Sequence, residues 1–153
     1  MKSFTVDEIR DKMAHYCTYQ DRCQWEVEQK LNDFKLIPEA YDEILIYLIQ
    51  NKFLSEERFT QSFARGKFYQ KKWGRIKIRI ELKKRKIPNH LIEIGLKEID
   101  EIDYTTTLER LFNEKKEKLK SERDGFKKKV KIKNYLLQKG FESELIHDLI
   151  SKI

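Results

Sequence analysis

The 153-residue chain matches itself at an offset of 50. "TVDEIRDKMAHYCTYQ" (5 to 20) lies on "SEERFTQSFARGKFYQ" (55 to 70), pairing Thr5 with Ser55, Ile9 with Phe59, Met13-Ala14 with Phe63-Ala64 and Gln20 with Gln70. With one extra residue in the first copy, Leu31 then meets Leu82, and Ile37-Pro38 meets Ile87-Pro88. A third copy, "YLLQKGFESELIHDLI" (135 to 150), places Leu136 on Leu82, Phe141 on Ile87, Leu145 on Leu91 and Ile146 on Ile92. Self-similarity at this period marks a repeat architecture, in which neighbouring units bury a continuous core.

The repeat decides how "WGRIKIRIELKKRKIP" (73 to 88) folds. Alone, its alternation of Ile76, Ile78, Ile80 and Leu82 with Arg75, Lys77, Arg79 and Glu81 reads as a strand with a basic outer face. The copies place Trp25, Val27, Gln29 and Leu31, and Val130, Ile132, Asn134 and Leu136, at the same four positions. The third position is polar in two copies, and what survives is an apolar pair four residues apart, a helical spacing. On a helical wheel Ile76, Ile80 and Ile87 fall on one side and Ile78 with Leu82 nearly opposite. This predicts a middle helix sandwiched between its own repeat and the next.

Each repeat reads as three helices. The first opens on a Ser or Thr cap before acidic residues (Thr5, then Asp7-Glu8; Ser55, then Glu56-Glu57), and the third opens at Pro38 or Pro88. The expected spans are 5–20, 22–35 and 38–51, then 55–71, 74–86 and 88–100, then 104–119, 124–139 and 142–152, with turns at Gly74 and Gly140. The fold expected is all-α, an elongated, curved stack of three tandem three-helix repeats over residues 1–53, 54–102 and 103–153. Composition agrees: charged residues are 39% and Gly plus Pro only 7 of the total, which favours long helices over turn-rich sheets.

No apolar run approaches the roughly 18 residues of a membrane span, and "MKSFTVDEIRDK" lacks the apolar centre of a secretion signal, so a cytoplasmic protein is expected. Cys17 and Cys23 form no CxxC and have no second ligand pair, so they read as reduced, partly buried thiols. Gly66-Lys67 lacks the upstream glycine and the following Ser or Thr of a phosphate-cradling loop. His15, His90 and His147 are scattered over the repeats, and the acidic pairs sit at helix starts, where the dipole accounts for them. Neither an enzyme nor a metal or cofactor site is expected.

Charge is segregated. Residues 55–88 carry a net +9 and residues 113–133 a net +6, together +15 in a chain of +7, which leaves −8 on the rest. A uniformly solvated helical protein would interleave its signs, so this points to a polyanionic or acidic partner. Arg58, Arg65 and Lys72 recur every seven residues along the fourth helix, Arg75, Arg79 and Lys86 line one edge of the fifth, and Lys127, Lys128 and Lys131 mark the eighth. With Lys67, Lys71, Lys77 and Trp73 these are the candidate partner- or nucleic-acid-binding residues. Phe59 and Phe63 read as core, whereas Tyr69 and Trp73 stand near a helix end, placed to pack or to stack on a base.

"FLSEERFTQSFARGKFYQKKWGRIKIRIELKKRKIP" (53 to 88) resembles the central repeat of RecX-family proteins, through Phe59, Phe63-Ala64, Trp73-Gly74, Glu81-Leu82 and Ile87. The three-repeat layout extends the resemblance over nearly the whole chain. One departure is that family members often carry glycine in the loop before the third helix, where this chain has Lys35-Leu36 and Lys86, with only Gly140 matching. The resemblance implies a small, elongated helical protein without catalytic residues. Such proteins lodge in the groove of the RecA filament on DNA and suppress its ATP hydrolysis and strand exchange. The implied partners are the RecA filament and single- or double-stranded DNA, met directly or through RecA, with the chain a monomer and no membrane involved. Two other readings of the basic stripes stay open: a helical nucleic-acid-binding protein acting without RecA, and a helical-repeat scaffold for an acidic protein.

Overall fold

A computed structural model describes residues 3–153; among them are nine helices and no strand. They run α1 (Val6–Tyr19), α2 (Gln24–Asn32), α3 (Pro38–Gln50), α4 (Glu56–Tyr69), α5 (Arg75–Lys84), α6 (Asn89–Leu96), α7 (Glu101–Lys118), α8 (Gly125–Lys139) and α9 (Ser143–Ile150). The accessible surface is 10052 Å², against about 8,300 Å² for a compact globule of 18.7 kDa. The excess fits an extended stack of repeats.

The helix starts are fixed by local chemistry. Thr5 and Glu8 form a reciprocal capping box at α1. Ser55 Oγ accepts from Arg58 N at 3.2 Å at α4, and Asp100 and Asp124 cap α7 and α8. Each cap satisfies backbone N–H groups that have no intrahelical partner. Pro38 occupies the first turn of α3, whereas Pro88 is the cap residue and α6 begins at Asn89.

The apolar pair that recurs four residues apart is the buried seam of every middle helix: Val27 and Leu31, Ile78 and Leu82, Ile132 and Leu136 are all fully enclosed. The first repeat closes its own core around Ile9, Met13, Ile44 and Leu48. The second and third share one core, running from Phe59 and Phe68 through Ile92 to Tyr104, Phe141 and Ile146. Buried Cys23 and half-buried Trp25 reach into that shared core from the first repeat. Cys17 and Cys23 are free and fully buried, and burial pushes the Cys23 thiol up to about 12.

The sandwiching expected of the middle helix fails in the second repeat. α5 is not sandwiched: Ile76 and Ile80 are 46% and 49% exposed, and the third member of that face, Ile87, lies beyond the helix and is buried. At the position of Ile76 the first repeat has Trp25, which does find the neighbouring core, while Val130 in the third is exposed. Truncations should reveal this asymmetry in urea unfolding. Leu82→Ala is expected to cost about 2 to 5 kcal/mol as a core cavity, and Ile80→Ala less than about 1 kcal/mol, since little area returns to water.

The second and third repeats meet backbone to backbone. Gly74 N–H donates to Lys139 O at 2.8 Å and Ile76 N–H to Gly140 O at 2.9 Å. Between them Arg75 N–H donates to the Tyr104 hydroxyl at 3.0 Å. The unsatisfied donors at the start of α5 are thereby paired largely with the carbonyl end of α8, which also opposes the two helix dipoles favourably. Gly140 is left-handed, with φ 96°, and Lys35 and Lys86 adopt φ 51° and 61° at the same place in the other two repeats. The lysines that stand where glycine was expected therefore keep the left-handed turn at a modest conformational cost.

Candidate partner interface

The predicted basic residues fall into two groups. The first is tied up within the chain. Arg58 Nε lies 2.8 Å from Asp21 and its Nη2 donates to Phe53 O at 3.1 Å; Arg65 pairs with Glu98 at 2.8 Å; Arg79 pairs with Glu93; Lys131 pairs with Glu122 at 2.9 Å. The hydrogen bond from Arg79 holds the Glu93 carboxyl below its usual range, and that from Lys131 does the same to Glu122.

Arg75 is the most committed of this group. Its guanidinium bridges Glu142 at 2.8 Å and Glu101 at 2.7 Å and stacks 3.7 Å from the centroid of the Tyr104 ring. The Tyr104 hydroxyl donates in turn to Glu142, and burial followed by that bond raises its pKa. Arg75, expected on the basic edge of the fifth helix, is thus not a free surface cation: its side chain is only 22% exposed and ties α5 to α7 and α9's cap.

The second group has no ion pair among the described residues: Lys67, Lys71, Lys72, Lys77, Lys86, Lys127 and Lys128. Lys71, Lys86 and Lys127 are exposed, and Lys128 is half-buried. Lys72 and Lys86 do not extend the helical stripes assigned to them. Each sits in the turn after its helix, at φ 60° and 61°, and Lys72 Nζ donates to Tyr69 O at 3.0 Å. Exposed Lys83, Lys129 and Lys133 also lack ion pairs among the described residues and escaped the sequence reading. Their signal was present in the lysine-rich runs "KKRK" (83 to 86) and "KKKVKIK" (127 to 133).

The structure brings Lys67, Trp73 and Lys77 together. The Lys67 and Lys77 ammonium groups lie 4.9 and 4.5 Å from the centroid of the Trp73 ring, which is half-buried against the shared core and edge-on to Phe63 at 6.4 Å. Phe63 itself is only partly buried. Tyr69 is held by its hydroxyl, which donates to Asp103 at 2.8 Å and accepts from Asp100 N at 3.3 Å. Among the described residues no group of three or more His, Cys, Asp or Glu is placed to hold a metal ion, and no helix is long and apolar enough to cross a membrane. What the surface offers is unpaired ammonium groups on the second and third repeats, suited to attracting phosphates or carboxylates.

Residues 55–96 match the family description "RecX, second three-helix domain", and residues 103–150 match "RecX, third three-helix domain". The chain is 30% identical to the regulatory protein RecX of Yersinia enterocolitica, over 97% of this chain and 88% of that one. It is 25% identical to the regulatory protein RecX of Oceanobacillus iheyensis, covering 97% of this chain but only 54% of that longer protein. In structure it superposes on the crystal structure of RecX from Lactobacillus salivarius with a TM-score of 0.83, at 24% identity, over 96% of this chain and 95% of the other. With more than half of its length matched to two successive domains of one family, and the helical repeats arranged as in a solved member, the chain belongs to the RecX family of regulatory proteins.

Proposed function

We propose that the chain binds the RecA filament on DNA and holds down its ATPase and recombinase activity, acting as a monomer in the cytoplasm and without catalysis of its own. The observation that carries this reading is the set of unpaired lysines concentrated in the two repeats that match the family. A filament presents both phosphates and acidic side chains along one repeating surface, so an array of cations on successive three-helix units, bounded at residues 53/54 and 102/103, fits it unit by unit. The aromatic cluster at Trp73, flanked by Lys67 and Lys77, favours a second reading, in which the chain binds nucleic acid without RecA.

Co-sedimentation separates the two. Binding to RecA filaments assembled on single-stranded DNA is expected to exceed binding to the bare strand by at least an order of magnitude at about 0.15 M salt, where exposed charges more than a Debye length apart are largely screened. Equal retention on bare DNA would promote the second reading.

A further inference from the structure

A cleft of about 340 Å³ opens between the first and second repeats, at the small end of the range that holds small ligands. Its wall includes Phe63, its rim carries Lys67, Lys71 and Arg85, and the side chains of Gln20 and Gln70 line it with no hydrogen-bond partner among the described residues. The two carboxylates that face it are already engaged: Asp21 pairs with Arg58 at 2.8 Å, and Glu26 accepts from Cys23 N at 3.1 Å. The Arg85 guanidinium is engaged too: it stands 4.9 Å from the Phe63 centroid, its Nη1 donates to Glu81 O at 2.9 Å and pairs with the Glu81 carboxylate at 3.3 Å, and its Nε is buried without a partner.

Gly66 lines the cleft. It lies inside α4, where glycine is the poorest helix former after proline, and its φ is not in the left-handed region. A Cβ built on it would meet nothing within 4 Å. Neither backbone conformation nor packing asks for glycine there, and the effect of the missing side chain is an open cleft.

We propose that this cleft receives one unstacked base of a single-stranded nucleic acid, with the base against Phe63, its edge toward the Gln20 and Gln70 amides, and the flanking phosphates toward Lys67 and Lys71. A bare phosphate has no use for an aromatic wall or neutral amides. A base has both a π face and a hydrogen-bonding edge. The proposal rests on the reading of this surface as one that meets DNA on the filament.

The test uses the full chain and two fluorescent probes of equal length and charge, an oligothymidylate and its fully abasic counterpart. Gly66→Leu projects a side chain into the cleft and, as a better helix former, is expected to melt no lower than the parent. It should weaken oligothymidylate binding about tenfold while leaving the abasic oligomer unaffected. Equal losses on both probes, or none on either, overturn the base site. Unchanged oligothymidylate binding with lost control of RecA would assign the cleft to a protein side chain and also overturn it. If the parent binds neither probe, the DNA-contact reading fails first and the base site with it.

Discussion

Gly140→Ala is expected to destabilise the chain by about 3 kcal/mol or more. Two costs combine. The residue holds φ 96°, where a side chain is strained by about 1 to 3 kcal/mol. A Cβ there would also overlap the Lys77 side chain and lie 2.7 Å from Lys77 N, so α5 must move, at an overpacking cost of about 1 to 3 kcal/mol. Gly74→Ala should be similarly harmful without any φ strain, because its Cβ would run into the Gly140 carbonyl and Phe141 N. Since both substitutions break one contact, the double variant should cost clearly less than the two single losses added. Urea unfolding followed by circular dichroism reads all three, and additive losses would show that the two glycines do not share a junction.

Triple reversal of Lys71→Glu, Lys86→Glu and Lys127→Glu is expected to leave stability within about 1 to 2 kcal/mol, since exposed substitutions are each worth about half a kcal/mol. Affinity for filament-bound or bare single-stranded DNA should fall by at least an order of magnitude. If these groups meet phosphates, the slope of log K against log salt should also flatten by about 2, at roughly 0.7 per phosphate on a single strand. Reversal of Arg65 and Arg79 is expected to act differently. Each is held by a carboxylate of its own chain, so the variant loses some stability and changes the salt slope less. A fall in affinity with no change in slope would assign Lys71, Lys86 and Lys127 to acidic protein side chains.

The buried seam was legible because it repeats. Val27/Leu31, Ile78/Leu82 and Ile132/Leu136 keep one spacing across three copies, and a spacing shared by three copies reports the packing they share. Ile76 and Ile80 misled because periodicity shows that a face is apolar, not whether a neighbour covers it. The ion pairs of Arg58, Arg65 and Arg75 were out of reach for another reason. Their partners lie 26 to 67 residues away in the chain, so a stripe that looks free on a helical wheel is partly spent on holding the helices together. The left-handed lysines were half visible: alignment with Gly140 marked the position, but only the backbone shows that Lys35 and Lys86 adopt the same turn.

The proposed restraint of the RecA filament should be read out in ATP hydrolysis by RecA on single-stranded DNA. Adding the protein at saturating concentration is expected to suppress the steady-state rate several-fold, with the Lys71, Lys86 and Lys127 reversal variant suppressing it far less at the same concentration. An unchanged hydrolysis rate at saturating wild-type protein would contradict the account.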